Sequence, residues 1–302
     1  MADISKKVIT IGTFDGLHIG HKKILKKVIS IAQEKNLEPA VLTLFPHPRM
    51  VLQKDSDIKL LNTINERISN IKTLGISNVV VKTFNTSFAN LSAEAYVKQV
   101  LVDELNAKTI VIGYDHHFGK NRSANITDLK QFSPRYGFNV IEISAQDIED
   151  ITVSSTKIRK ALDQGQISLA NQLLGYPYYL TGEVVKGNSI GRTLNFPTAN
   201  IHIPEDYKLI PKDGVYVVKA TIKSKEYYGM MNIGHKPTLN AKRRSVEVHF
   251  FNFNHDLYGD VLKVEILERL REEQKFQDLE KLKQQLEQDK LDALDYLEHH
   301  YE

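Results

Sequence analysis

Gly12-Thr13-Phe14-Asp15-Gly16-Leu17-His18-Ile19-Gly20-His21 decides the fold, because it follows the apolar run Val8-Ile9-Thr10-Ile11 and opens onto a helical pattern. The order is strand, tight turn, helix. Gly12 and Gly16 permit the turn and a close backbone approach. The new helix offers unpaired N–H groups and the positive end of its dipole, which suits a phosphate. His18 and His21, three apart across a glycine, are placed to donate hydrogen bonds to phosphate oxygens and to the charge that builds there during displacement. Neither needs to act as a base. The same residues are also compatible with a plain glycine turn carrying two exposed histidines, or with a metal pair, since His at helical spacing also holds zinc. No third ligand sits nearby in the HExxH manner.

Downstream, Ile24, Leu25, Val28, Ile29 and Ala32 recur at helical spacing, with Lys22, Lys23, Lys26 and Lys27 on the other face, and the helix ends near Asn36. A strand over 40–45 runs into Pro46-His47-Pro48-Arg49, where proline rigidity sets a His and an Arg at the strand's end, the place where open α/β sheets bind ligands. Helices over 65–74, 93–105 and 129–132 alternate with strands over 78–81, 109–112 and 138–143. Repeated β-α units imply a parallel sheet covered on both faces. Gly113 to Arg122 is a second glycine-bounded segment at a strand end, which an ordinary loop would also explain. Val153-Ser154-Ser155-Thr156-Lys157-Ile158-Arg159 opens another helix, running to Leu162. Ser and Thr cap it, and Arg159, one turn in, supplies a fork that matches phosphate oxygens.

Residues 167–174 complete a helix closed by Gly175, and Tyr176-Pro177-Tyr178-Tyr179 reads as a connection, so the chain divides into 1–175 and 176–302. From there the pattern changes to short alternating runs over 180–185, 214–222, 227–233, 245–253 and 261–267, the spacing of a small antiparallel barrel. Within it, Gly187-Asn188-Ser189-Ile190-Gly191-Arg192 is not a P-loop, yet its N–H groups and Arg192 suit a polyphosphate; a structural turn is the plain alternative. Thr198 and Asn200 add hard oxygen ligands of the kind Mg²⁺ accepts. In Ser245-Val246-Glu247-Val248-His249-Phe250, alternation sets Glu247 and His249 on one face and the apolar residues on the other. A last helix carries Phe276, Leu279, Leu282, Leu286, Leu291, Leu294 and Leu297 and is expected to pack on the barrel.

These motifs together resemble the bifunctional prokaryotic riboflavin kinase/FMN adenylyltransferase (FAD synthetase) family. The first is similar to its GxFDGxHxGH signature, residues 153–159 to its [IV]SSTxIR motif, and 113–119 to its G-x-[DN]-x-x-FG segment, with Asp115 in the Asp/Asn position. The glycine expected shortly after Arg122 is missing. Residues 187–200 resemble the kinase signature GxxxGRxLGFPTAN, with Asn195 where Gly is usual; Asn tolerates positive φ best among non-glycine residues, so the turn is expected to survive. Segments 232–238, 256–259 and 270–276 also match. The resemblance implies a Rossmann-like α/β nucleotidyltransferase domain followed by a β-barrel riboflavin kinase domain with a C-terminal helix. It implies Glu247 as the kinase base, and His18, His21 and Arg159 as transition-state stabilisers of adenylyl transfer. ATP contacts fall on Gly12, Phe14, Asp15, Asp115, Ser155 and Thr156 in the first domain and on Gly187, Gly191, Arg192, Thr198 and Asn200 in the second. Thr198 and Asn200 would hold Mg²⁺, and His47 and Arg271 would contact flavin. Substrates would be riboflavin, FMN and ATP, with FMN and FAD as products. Two rival readings are another HxGH nucleotidyltransferase, against which the barrel motif counts, and a non-catalytic flavin-binding regulator, which would be expected to have lost His21 or Glu247.

Composition bounds the rest. At 302 residues, with 41% hydrophobic and 25% charged residues, the chain is that of a globular protein of two ordinary domains. It has no Cys, which excludes thiolate chemistry and fits a reducing, cytoplasmic setting. No signal-peptide core or membrane-length apolar run is present. The net charge of +3 hides an asymmetry: residues 272–302 hold four Lys against ten Asp plus Glu, a net −6, which leaves +9 for residues 1–271. A basic body suits nucleotides. No aromatic-interleaved basic strip of the RNA-binding kind occurs, so neither nucleic acid nor membrane is expected as a partner, and the oligomeric state is left open.

Overall fold

A computed structural model describes residues 5–53, 57–113, 116–144, 153–187, 190–235 and 244–301. The chain forms two compact units, Met1–Ser155 and Thr156–Glu302.

In the first unit, strands β1 (Lys7–Ile11), β2 (Glu38–Phe45), β3 (Asn78–Thr83), β4 (Ala107–Gly113) and β5 (Asn139–Ile143) form one sheet in the order β3-β2-β1-β4-β5, and every pairing is parallel. Strand β1 is central, and the period of two divides it between two cores. Val8 joins Leu25, Val28, Ile31, Val41 and Val111 on one side, and Ile9 joins Leu42, Val97, Leu101 and Ile110 on the other. The helix Ile19–Lys35 supplies the first of these layers while Lys23, Lys26 and Lys27 stay in solvent. Its chain then enters β2, whereas β4 lies on the opposite flank of β1, so the strand order reverses at β1/β4. That reversal leaves a crevice outside the carboxyl ends of these strands, where the Gly12–His21 turn begins. Two expectations are extended here. Pro48–Leu52 is a short helix capped by His47, and the helix expected over 129–132 runs Ile126–Tyr136, started by an Asn125/Asp128 capping box and closed by Gly137 at φ 69°.

The second unit is a closed barrel of β6 (Tyr178–Val185), β7 (Ala199–His202), β8 (Gly214–Ile222), β9 (Lys225–His235), β10 (Arg244–Phe250) and β11 (Val261–Arg271), in the order β10-β7-β6-β11-β8-β9. Five of the six strands show in the sequence pattern. The sixth, β7, is four residues long, too short to display an alternation, and it carries Asn200. Tyr178 and Tyr179 are not a connection, as the sequence suggested, but the first residues of β6; both are buried. The helix Leu279–Tyr301 packs Leu282, Leu286, Ala293 and Leu297 on Val215, Val217, Met230 and Leu267 of the barrel. Leu279, Leu291 and Leu294 of the same apolar series fall on its outer side.

The structural division at Ser155/Thr156 lies ahead of the 175/176 boundary, where the strand pattern begins. Helices Ser155–Asp163 and Ile167–Leu174 are tied to the barrel unit: Asn171 donates to Ile266 O at 2.9 Å and accepts from Tyr178 N at 2.7 Å, Lys212 N donates to Leu162 O at 3.0 Å, and Gly165 leaves room for the Arg269 side chain. A fragment beginning at Thr156 is therefore expected to melt at a higher temperature than one beginning at Tyr176, which keeps the whole of β6. Equal midpoints by circular dichroism would show that the two helices add nothing to the barrel.

Candidate active sites

The turn after β1 is held by its neighbours rather than by its own preferences. Phe14 (φ 46°) and Leu17 (φ 35°) adopt positive φ without being glycine, a strained backbone that persists only where the surroundings over-determine it. Here they do. Both side chains are buried in the core, and a Cβ on Gly12 would sit 3.0 Å from the Phe14 ring. The buried Asp15 carboxylate accepts from Leu61 N and Asn62 N, each at 3.1 Å, and Asn62 Oδ1 accepts from Gly16 N at 2.9 Å. Thr43 Oγ1 donates to Thr13 O at 3.2 Å, and Ser155 Oγ to Asp15 O at 2.9 Å. Arg67 is wholly buried, donates to Thr43 Oγ1 at 3.1 Å and Leu44 O at 3.2 Å, and stands 4.0 Å from Asp15 Oδ1.

On this platform the two histidines stack, centroids 3.6 Å apart and planes 16° apart, with the His21 ring edge-on to Phe14 at 5.2 Å. His18 is the N-cap of the helix, its Nδ1 accepting from His21 N at 3.3 Å. Burial pushes His18 down to about 4, against a smaller opposing effect from the Asp15 charge. Burial also holds His21 well below the usual histidine value, reinforced by His18 and then Arg67. Both are neutral at pH 7. Because His18 Nδ1 is an acceptor, its single proton sits on Nε2 and is free to donate. His21 Nδ1 is buried with no hydrogen-bond partner among the described residues. Near-parallel rings do not converge their lone pairs on a common ion, so the geometry favours donation to an anion over the zinc pair that the spacing also permitted.

The first unit thus brings together Gly12, Phe14, Asp15, His18, His21 and Ser155. Thr156 and Arg159 follow Ser155 along one helix, in the residues of the second unit. His47 stands half-buried at the end of β2 with Nδ1 accepting from Arg49 N at 3.1 Å, and Asp115 lies outside the described residues. Thr43, Asn62 and Arg67 escaped the sequence reading. The Thr63/Glu66 capping box marks a helix start there, but nothing local signals that the next residue, Arg67, is buried under the turn.

In the barrel, register does the assembling. Glu247 on β10 pairs with Asn200 on β7 and with Asn232 on β9, so the three share one face, while Val246, Val248 and Phe250 are buried on the other. Thr198 Oγ1 donates to Glu247 Oε2 at 3.3 Å, and His249 Nδ1 donates to Pro197 O at 2.8 Å. A Cβ on Gly191 would collide with the Phe196 carbonyl, so glycine is required there, and the Asn200 amide occupies the space that a Cβ on Gly187 would take. Asn195 adopts φ 64°, the conformation expected of the residue standing in for glycine. Asn188 and Ser189 lie outside the described residues. Arg192 and Thr198 line a cleft of about 470 Å³ with Val248, Phe250, Asp256 and Tyr258. Arg271 is engaged inside the chain: it grips the fully buried Asp289 through two bonds of 2.7 Å and donates to Glu272 O at 2.8 Å.

Family models for FAD synthetase and for riboflavin kinase match residues 1–157 and 174–297. The bifunctional riboflavin kinase/FMN adenylyltransferase of Bacillus subtilis (strain 168) is 38% identical over 297 residues, covering 97% of this chain and 93% of that protein. The chain belongs to this bifunctional family. The family's enzyme from Buchnera aphidicola subsp. Schizaphis graminum is 40% identical over 289 residues, 94% of this chain and 92% of that one. A crystal structure described as a macrolide-efflux protein from Streptococcus pneumoniae superposes with a TM-score of 0.86 at 31% identity, covering 99% of this chain and 95% of that one. Efflux is said of that protein. Among the described residues here, no helix is long and apolar enough to cross a membrane.

The neutral histidines generate a pH dependence. The unfolded chain binds protons at these imidazoles below about 6.5 and the folded chain does not until about 4 at His18, so stability falls as pH drops through that window. His18→Gln, which cannot titrate, is expected to flatten the decline in melting temperature between pH 6.5 and 4. An unchanged slope would show that His18 does not carry it.

Proposed function

We propose that this chain makes FMN from riboflavin and ATP on its barrel, and FAD from FMN and ATP on its α/β unit. The observation that carries the reading is that one member of this family holds both arrangements: stacked neutral histidines at a helix N-terminus, and a Thr198–Glu247 pair beside Asn200 and a glycine-bounded loop.

In the first reaction the ribityl 5′-hydroxyl attacks the γ-phosphorus of ATP, its proton passes to Glu247, and the bond to ADP breaks. The Arg192- and Thr198-lined cleft is of nucleotide size. Thr198 Oγ1 and Asn200 Oδ1 are hard oxygen donors, and bare Gly187 lets Asn200 sit against the loop, so these residues fit Mg²⁺ beside a nucleotide. Such an ion would neutralise polyphosphate charge. In the second reaction an FMN phosphate oxygen attacks the α-phosphorus of ATP and pyrophosphate leaves. His18, His21 and Arg159 donate to the charge that develops, with Gly12, Phe14, Asp15, Asp115, Ser155 and Thr156 shaping the ATP site and His47 the flavin side. Arg271, with three donors already committed, serves the flavin subsite by fixing the backbone of 270–276. We take 1–175 and 176–302 as the functional division and the cytoplasm as the setting, with neither nucleic acid nor membrane as partner.

Incubation with riboflavin and MgATP, resolved by chromatography, is expected to give FMN and then FAD; absence of both would overturn the reading. His21→Ala should lower FAD formation by on the order of 10²–10³ while FMN accumulates. Glu247→Gln should lower riboflavin phosphorylation by about 10²–10⁴ and leave conversion of supplied FMN to FAD intact. If either variant slows both reactions equally, the roles are misassigned.

A further inference from the structure

Asn232 stands directly across from Glu247 in the β9/β10 register, on the side away from Asn200. Directly opposed residues of antiparallel strands carry Cβ atoms ~4.5–5.5 Å apart on one face, so the Asn232 amide borders the Glu247 carboxylate. It is only half-buried, and among the described residues its side chain has no hydrogen-bond partner. Across three neighbouring strands the order is therefore Asn200 on β7, Glu247 on β10, Asn232 on β9. Thr198 and Asn200 stand on the phosphate side of the base, which leaves Asn232 on the side from which an acceptor must come.

A second observation marks that side as a subsite. Gly234 follows Asn232 on the same face, and the Glu273 carboxylate, from the segment after β11, occupies the space a Cβ there would take. That segment is pinned by the Arg271–Asp289 pair. Asn232 thus stands on the β9 face that Glu273 reaches at Gly234, two residues along the strand.

We propose that Asn232 contacts the acceptor in the kinase reaction, holding a ribityl hydroxyl beside Glu247. An amide offers an acceptor oxygen and two N–H donors, which matches an alcohol acting as donor and acceptor at once. A polyol chain is then distinguished from an apolar one of the same length, because a missing hydroxyl leaves the amide unpaired. This inference rests on the barrel being a riboflavin kinase.

The test is steady-state kinetics of the full chain with riboflavin and with ribityl-deoxy analogues lacking one hydroxyl each. Asn232→Ala is expected to raise the riboflavin KM about 2- to 10-fold with the ATP KM unchanged. One analogue should lose the same factor with the wild-type chain and nothing further with Asn232→Ala. Asn232→Asp preserves the shape, so it guards against misfolding of the alanine variant; exchanging the N–H₂ donor for a second carboxylate beside Glu247, it should lose at least as much. If wild-type chain phosphorylates riboflavin but these variants leave its KM unchanged, or shift the ATP KM equally, the Asn232 assignment is wrong while the kinase reading stands. If wild-type chain forms no FMN, the kinase reading itself falls.

Discussion

A carboxylate taken out of water must be repaid in hydrogen bonds, and Asp15 is where the first unit meets that requirement. Its two oxygens take the N–H groups of Leu61 and Asn62, with the Arg67 guanidinium beside them. An unpaired buried charge is strongly destabilising, about 3–5 kcal/mol when one partner of a buried pair is removed. The turn therefore has one arrangement in which Asp15 is satisfied, and in it Phe14 and Leu17 accept left-handed backbone. His18 then caps the helix and stacks on His21. The positions of the histidines thus depend on residues more than forty places along the chain.

The barrel unit repeats the device with a different carboxylate. Asp289 lies within the C-terminal helix, fully buried, and receives Arg271 in a fork of two bonds plus Gln285 Nε2 at 2.9 Å. Arg271 ends β11, so the pair fixes how the chain leaves the barrel and how the helix lies on it. The planar guanidinium matches a carboxylate in one orientation, which makes the pair a directional constraint that hydrophobic contacts alone do not impose.

Much of this was legible in the sequence because it is local. The Gly12–His21 turn, the β-α alternation, the change to strand-turn alternation and the facing of Glu247 are all set by periodicity and glycine placement, and Asn195 at positive φ follows from the resemblance, which puts it where glycine is usual. What escaped depends on contacts distant in sequence. Arg67 looks like any charged residue in the first turn of a helix, and only the fold puts it beneath Asp15. Strand β7 is too short to show a period. The resemblance marks Arg271 as a flavin contact, but its fork onto Asp289 is invisible in the sequence, since one buried aspartate among the many acidic residues of the last helix has no local signature.

The stacked, uncharged imidazoles have a consequence for physiology. An ordinary histidine changes charge within the range over which living cells drift, and a reaction that relies on one inherits that sensitivity. A pair desolvated deeply enough to remain neutral through mild acidity does not report the proton concentration around it. On the proposed reading, an organism experiencing acid stress would keep these two imidazoles of the dinucleotide-forming step in their working protonation state.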